Sequence, residues 1–123
     1  SDDAGRSAYA LAAALRREGR VGPVAGAADV PGGMGGLDLA FFLEQPWCGD
    51  EPELSVDDLR RSDARLYVLA SSDEADEAKL ARAPDFVRLD LGSGLPQNGS
   101  NFPLTVFWRK EAVSDDGRVP RSR

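Results

Sequence analysis

Apolar positions along this chain follow two rhythms, and the changes between them mark its elements. Ala8, Leu11, Ala12 and Leu15 fall at i, i+3, i+4 and i+7. That spacing predicts a helix over 8–18, with Ser7 capping its start and Gly19 supplying a left-handed stop. A short apolar run at 21–25 predicts the first strand. Pro23 inside it lacks an N–H, so this strand is either at an edge or irregular. The stretch 26–36 is glycine-rich, and 37–45 is then apolar nearly all round until Pro46 stops it. A second, largely buried helix is expected there, followed by a short strand at Trp47 and Cys48.

Ser55 followed by Asp57, Asp58, Arg60 and Arg61 predicts a third helix, because that charge order suits a helix dipole. Leu66, Tyr67, Val68 and Leu69 run continuously apolar, as a central parallel strand does. Ser71 and Glu74 read as a capping box for a fourth helix ending near residue 83. Its first turns carry Asp73, Glu74, Asp76 and Glu77, a solvated face. Segments 86–91 and 104–109 alternate, which predicts two half-exposed strands in a terminal antiparallel hairpin around the long polar loop 92–103. The order defines an α/β class: a Rossmann-like sandwich, mostly parallel sheet, with a C-terminal antiparallel hairpin. Residues 1–110 make one domain and 111–123 a polar, frayed tail.

Composition changes the picture mainly by exclusion. Lys and Arg number 15 against 21 Asp and Glu, a formal net charge of −6. Phosphate backbones are held by clustered basic residues, so no nucleic-acid partner is expected. There is no histidine and one cysteine, Cys48, which excludes an internal disulfide and a Cys–His metal site and removes the usual general base. Cys48 has no His or Lys beside it and reads as a buried, inert thiol. Asp50, Glu51 and Glu53 read as a solvated loop. No catalytic residue, metal ligand or cofactor is assigned. No run of 18 apolar residues is present to span a bilayer, and the opening SDDAGR has no apolar signal core. The chain reads as an excised soluble domain.

Two groups of residues carry the remaining functional interest. Gly32, Gly33, Gly35 and Gly36 precede helix two, where free N–H groups and a helix dipole make an anion cradle. The spacing argues against one. A P-loop ends Gly-Lys-Ser/Thr, whereas this loop ends Gly-Gly-Leu, and the dinucleotide fingerprint is broken because Gly33-x-Gly35-x-x-Asp38 ends in a carboxylate. A connector is the plainer reading. Phe41, Phe42 and Trp47 are the partner-facing candidates, since a helix apolar all round either fills a core or offers one side to a partner.

The blocks GPVAG at 22–26, LAFFL at 39–43 and QPWCGD at 45–50 resemble a stretch of certain bacterial membrane glycosyltransferases. So do ARLYVL at 64–69 and FPLTVF at 102–107. These are the protein O-mannosyltransferase and aminoarabinose-transferase class, which take a sugar from a polyprenyl-phosphate carrier. The resemblance is to their extracytoplasmic C-terminal domain and covers 21–109. This chain departs from it in the glycine-rich insertion and at Cys48, where an aromatic residue is expected. The resemblance implies a non-catalytic domain on the periplasmic face of the membrane, packed on the transmembrane part of its parent chain through helix two and the loop 92–103. There it would shape acceptor access, with a polyprenyl-phosphate sugar or acceptor nearby. Catalytic residues of that class lie in the membrane part, so none carries over. The residues by themselves keep two other classes open. One is a free-standing, cytoplasmic Rossmann-like module binding a nucleotide or phosphorylated ligand at 26–36; the other is a purely structural interaction domain.

Overall fold

The apolar stripe at 8–15 builds a longer helix than its spacing predicts. Helix α1 spans Asp3–Arg17, so Ser7 lies inside it and does not cap it. It stops where expected: Gly19 takes φ +72°, its N–H reaches the Arg16 carbonyl, and the Arg20 N–H closes on Leu15 O at 2.9 Å. The computed structural model describes residues 3–26, 29–30, 33–34, 36–49, 55–70, 73–91 and 104–110. The remaining elements are β1 (Val24–Gly26), β2 (Asp29–Val30), β3 (Gly33–Met34), α2 (Gly36–Leu43), α3 (Val56–Arg61), β4 (Leu66–Ala70), α4 (Glu74–Ala81), β5 (Phe86–Arg88) and β6 (Leu104–Arg109).

The sheet is mixed, not mostly parallel, and this corrects the expected fold class. Its order is β1-β4-β6-β5, and only β1 and β4 run parallel. Strands β5 and β6 pair antiparallel, as the expected hairpin does, but β6 is not exposed at the sheet edge. It inserts between β4 and β5, antiparallel to both, and pairs with β4 from Leu66↔Trp108 to Ala70↔Leu104. The apolar run at 66–69 is central, as expected. Burial on both faces demands such a run whether the neighbours are parallel or antiparallel, so the run says nothing about direction.

Strand β6 is likewise not half-exposed. All six residues are buried, including Thr105 and Arg109. One face sends Leu104, Val106 and Trp108 into a core with Leu11, Leu15, Leu39 and Leu43 from α1 and α2. The other face sends Phe107 into a second core with Leu59 of α3 and Leu80 of α4. Helices therefore cover both faces of the sheet. Each fully buried Leu contributes roughly 1.5–3 kcal/mol to this sandwich.

Strand β1 is the edge that Pro23 predicts. The Pro23 carbonyl accepts from Arg65 and Leu66 N–H, while the segment after α2 lies along the outer side of β1. Val24 N–H donates to Pro46 O, Cys48 N–H to Val24 O, and Trp47 forms a single parallel bridge with Val24. Helix α2 ends at Leu43, short of residue 45, because Glu44 adopts φ 56°. Ser55 caps α3 by accepting from the Asp58 N–H at 3.2 Å. The cap of α4 is Asp73, which accepts from the Asp76 N–H at 3.1 Å; Glu74 is then the first helical residue and not the third residue of a capping box. Ser71, the loop 92–103, the acidic group Asp50, Glu51 and Glu53, and the tail 111–123 lie outside the described residues.

An arginine–aspartate network ties α3 to the start of β5. Arg60 donates two bonds to Asp85, at 2.9 and 2.7 Å, and a third to Asp57. Arg109 donates to the Arg60 carbonyl, and its Nε lies 4.0 Å from Asp85. The Arg60 hydrogen bonds hold the Asp85 carboxyl below its ordinary value, against the opposing effect of burial. A depressed carboxylate adds stability above its unfolded pKa of 3.8 and loses it as pH falls through the folded value. Asp85→Asn is expected to cost about 1–2 kcal/mol near neutral pH, a range discounted for partial exposure. The gap from wild type should close on acidification below that range, as read by urea unfolding across pH.

Candidate functional site

Two of the glycine candidates, Gly33 and Gly36, lie among the described residues. Gly33 lies in β3, which pairs antiparallel with β2 through Val30↔Gly33, so part of the expected connector is a two-stranded hairpin. Gly36 is buried at the first position of α2, and Asp38 in the same turn places a carboxylate where an anion would sit. Gly32 and Gly35 lie outside the described residues. The glycine at the head of the stretch, Gly26, is fixed by packing: a Cβ there would meet the Val68 carbonyl oxygen of β4 at 2.0 Å.

Two of the aromatic candidates, Phe41 and Trp47, line one groove, and Phe42 packs beside Phe41. Helix α2 packs its buried residues Leu39, Ala40 and Leu43 inward. Because 37 and 41 are one turn apart, Leu37 and Phe41 then share the outward side. Phe41 is 75% exposed, which for a residue flanked by core positions is the clearest anomaly on the surface. Phe42 is half-buried and presents its ring to two neighbours, Phe41 at 5.5 Å and Tyr9 of α1 at 5.4 Å, both edge-to-face. Trp47 is half-buried on the edge of β1. Leu37, Asp38, Ala40, Phe41, Gln45 and Trp47 line an open groove of about 360 Å³. Its walls are mainly apolar, and Asp38 and Gln45 are its polar groups.

Two features of this region escaped the sequence reading. Tyr9 is 64% exposed and joins the aromatic cluster. Its position just off the buried stripe of α1 was the available signal. Arg16 donates to the Phe42 carbonyl at 2.6 Å, which clips the C-terminus of α1 to that of α2. At the other side of that core, Trp108 lies 4.2 Å from the Arg65 guanidinium and 5.5 Å from that of Arg20, two cations against one indole.

The chemistry available elsewhere is slight. Cys48 is exposed and not buried as expected, because it lies on the outer side of the edge strand β1, and its thiol is pushed above its ordinary value, first by partial desolvation and then by the Asp63 carboxylate. Both effects disfavour the thiolate, the reactive form. Among the described residues, no three His, Cys, Asp or Glu side chains converge to hold a metal ion. Among them, too, no helix is long and apolar enough to cross a membrane. Among the described residues this region presents an aromatic cluster and an open groove.

The chain matches no known protein family, no curated protein and no solved structure.

Proposed function

We propose that this chain is a non-catalytic accessory domain of a membrane-bound glycosyltransferase that uses a polyprenyl-phosphate sugar. In this reading it sits at the extracytoplasmic face and packs on the transmembrane part through the exposed side of α2. The observation that carries it is the exposure of Phe41 at the rim of the groove with Leu37 and Trp47. A large aromatic side chain left in water beside an apolar groove is the composition of an interface anchor, and anchors of this type carry most of an interface's energy. The resemblance of 21–109 to the extracytoplasmic domain of such enzymes supports the choice of partner. The glycine stretch offers no support for a nucleotide-binding module, since Gly26 is held by packing and Asp38 opposes an anion.

A photo-crosslinking residue placed at position 41 in cells that make the chain tests this. Crosslinks to a polypeptide with many membrane spans, or to such spans of the same chain, are the expected result. Crosslinks confined to water-soluble proteins, or none above those from a probe at Arg82, would overturn the reading.

A further inference from the structure

We infer that the outer face of α1 seats on an anionic phospholipid surface. Ala8, Leu11, Ala12 and Leu15 are buried, which turns the stripe Tyr9, Ala13, Arg16 and Arg17 outward. Tyr9 is 64% exposed, and Arg16 and Arg17 are exposed. The stripe from Tyr9 to Arg17 is about 12 Å long at 1.5 Å per residue. It has an amphipathic aromatic ring at one end and two guanidinium groups at the other. Arg20, half-buried, turns its guanidinium toward Trp108 and is not part of this stripe.

The charges here are available to a partner. Arg16 and Arg17 form no ion pair among the described residues, and the Arg16 contact is to a backbone carbonyl. Other arginines of the fold are committed differently: Arg60, Arg61, Arg88 and Arg109 each face an Asp or Glu. Glu18 and Glu44 are the exposed carboxylates at this end of α1 and α2. A tyrosine with its ring in an apolar layer and its hydroxyl in water, flanked by arginines that keep their heads wet, fits the boundary of a bilayer. Anionic headgroups supply the charge that Arg16 and Arg17 lack. A nucleic acid would need a broader basic surface than the two exposed arginines of this stripe present.

Tyr9 touches the aromatic cluster of the docking face but lies on a different helix from the groove. The inference therefore extends the proposed function and is tested apart from it, with vesicles that contain no protein. Flotation of the purified full chain is compared between vesicles of equimolar phosphatidylglycerol and phosphatidylcholine and vesicles of phosphatidylcholine alone. Binding is expected only with the anionic vesicles, weakened by added salt and reduced roughly tenfold by Arg17→Glu. Tyr9→Ser should reduce it as well, and Arg82→Glu, at the end of α4 across the sheet, should leave it unchanged. Circular dichroism confirms that each variant is folded. No binding, equal binding to neutral vesicles, or equal loss with Arg82→Glu would overturn the inference. None of these results would alter a crosslink from position 41.

Discussion

Gly26→Ala should cost the chain a large share of its stability. Gly26 holds φ +127°, a conformation open to glycine and strained for any residue with a Cβ. Space is the second obstacle. The new methyl group would lie 2.0 Å from the Val68 carbonyl oxygen and 2.7 Å from its nitrogen. Both atoms belong to the backbone of β4, which is held on its other side by β6, so neither can rotate away. Relief requires β1 to part from β4 and give up the register Gly26↔Val68. Strain of about 1–3 kcal/mol and the lost pairing together approach 4 kcal/mol or more. Domains of this kind are stable by about 5–15 kcal/mol, so roughly a quarter to four-fifths of the margin would go. Urea unfolding followed by circular dichroism measures it; a wild-type midpoint would show that β1 does not approach β4 this closely.

Phe107→Ala is the second large loss expected, about 3–5 kcal/mol. Phe107 is 1% exposed and packs with Leu59, Leu80 and Phe86 beneath α3 and α4. Removing its ring opens a cavity that the paired backbones on both sides of β6 prevent from collapsing. Val87, on β5 beside it, is 37% exposed, and Val87→Ala should cost less than about 1 kcal/mol. The contrast distinguishes a central β6 from a half-exposed strand in an edge hairpin. A loss below about 1.5 kcal/mol at Phe107 would contradict the strand order.

These two positions also show what could be read from the chain and what could not. Helix and strand locations were legible wherever one face is buried, because periodicity records which side chains leave water: the stripe on α1, the Ser55 cap and the run at 66–69 are cases. Strand direction was not legible. A strand buried on both faces is apolar throughout beside either kind of neighbour, and β4 has one of each. The alternation in β6 was misleading for a physical reason. Its polar members, Thr105 and Arg109, are buried too, and Arg109 donates from Nη1 to the Arg60 carbonyl and lies near Asp85 rather than in solvent. Gly26 was counted with a glycine-rich loop, whereas its role depends on an approach to Val68, a residue distant in sequence.

For the candidate face, Phe41, Phe42 and Trp47 could be picked out because α2 has more apolar residues than one buried side requires. The structure separates them: Phe41 exposed, Phe42 half-buried against Tyr9, Trp47 at the edge of β1. Tyr9 and Arg16 could not be joined to them from sequence, since packing of α1 on α2 brings them there.

The most direct test of the docking account is sugar transfer measured in the membranes where the chain is made, with a polyprenyl-phosphate sugar as donor, for wild type and Phe41→Asp. The exposed position lets the variant fold, while a charge at the groove rim opposes an apolar partner. Transfer is predicted to fall roughly tenfold in the variant membranes, the effect of losing one interface anchor, and to be absent from the purified chain. Unchanged transfer in the variant membranes, or transfer by the purified chain alone, would contradict the account.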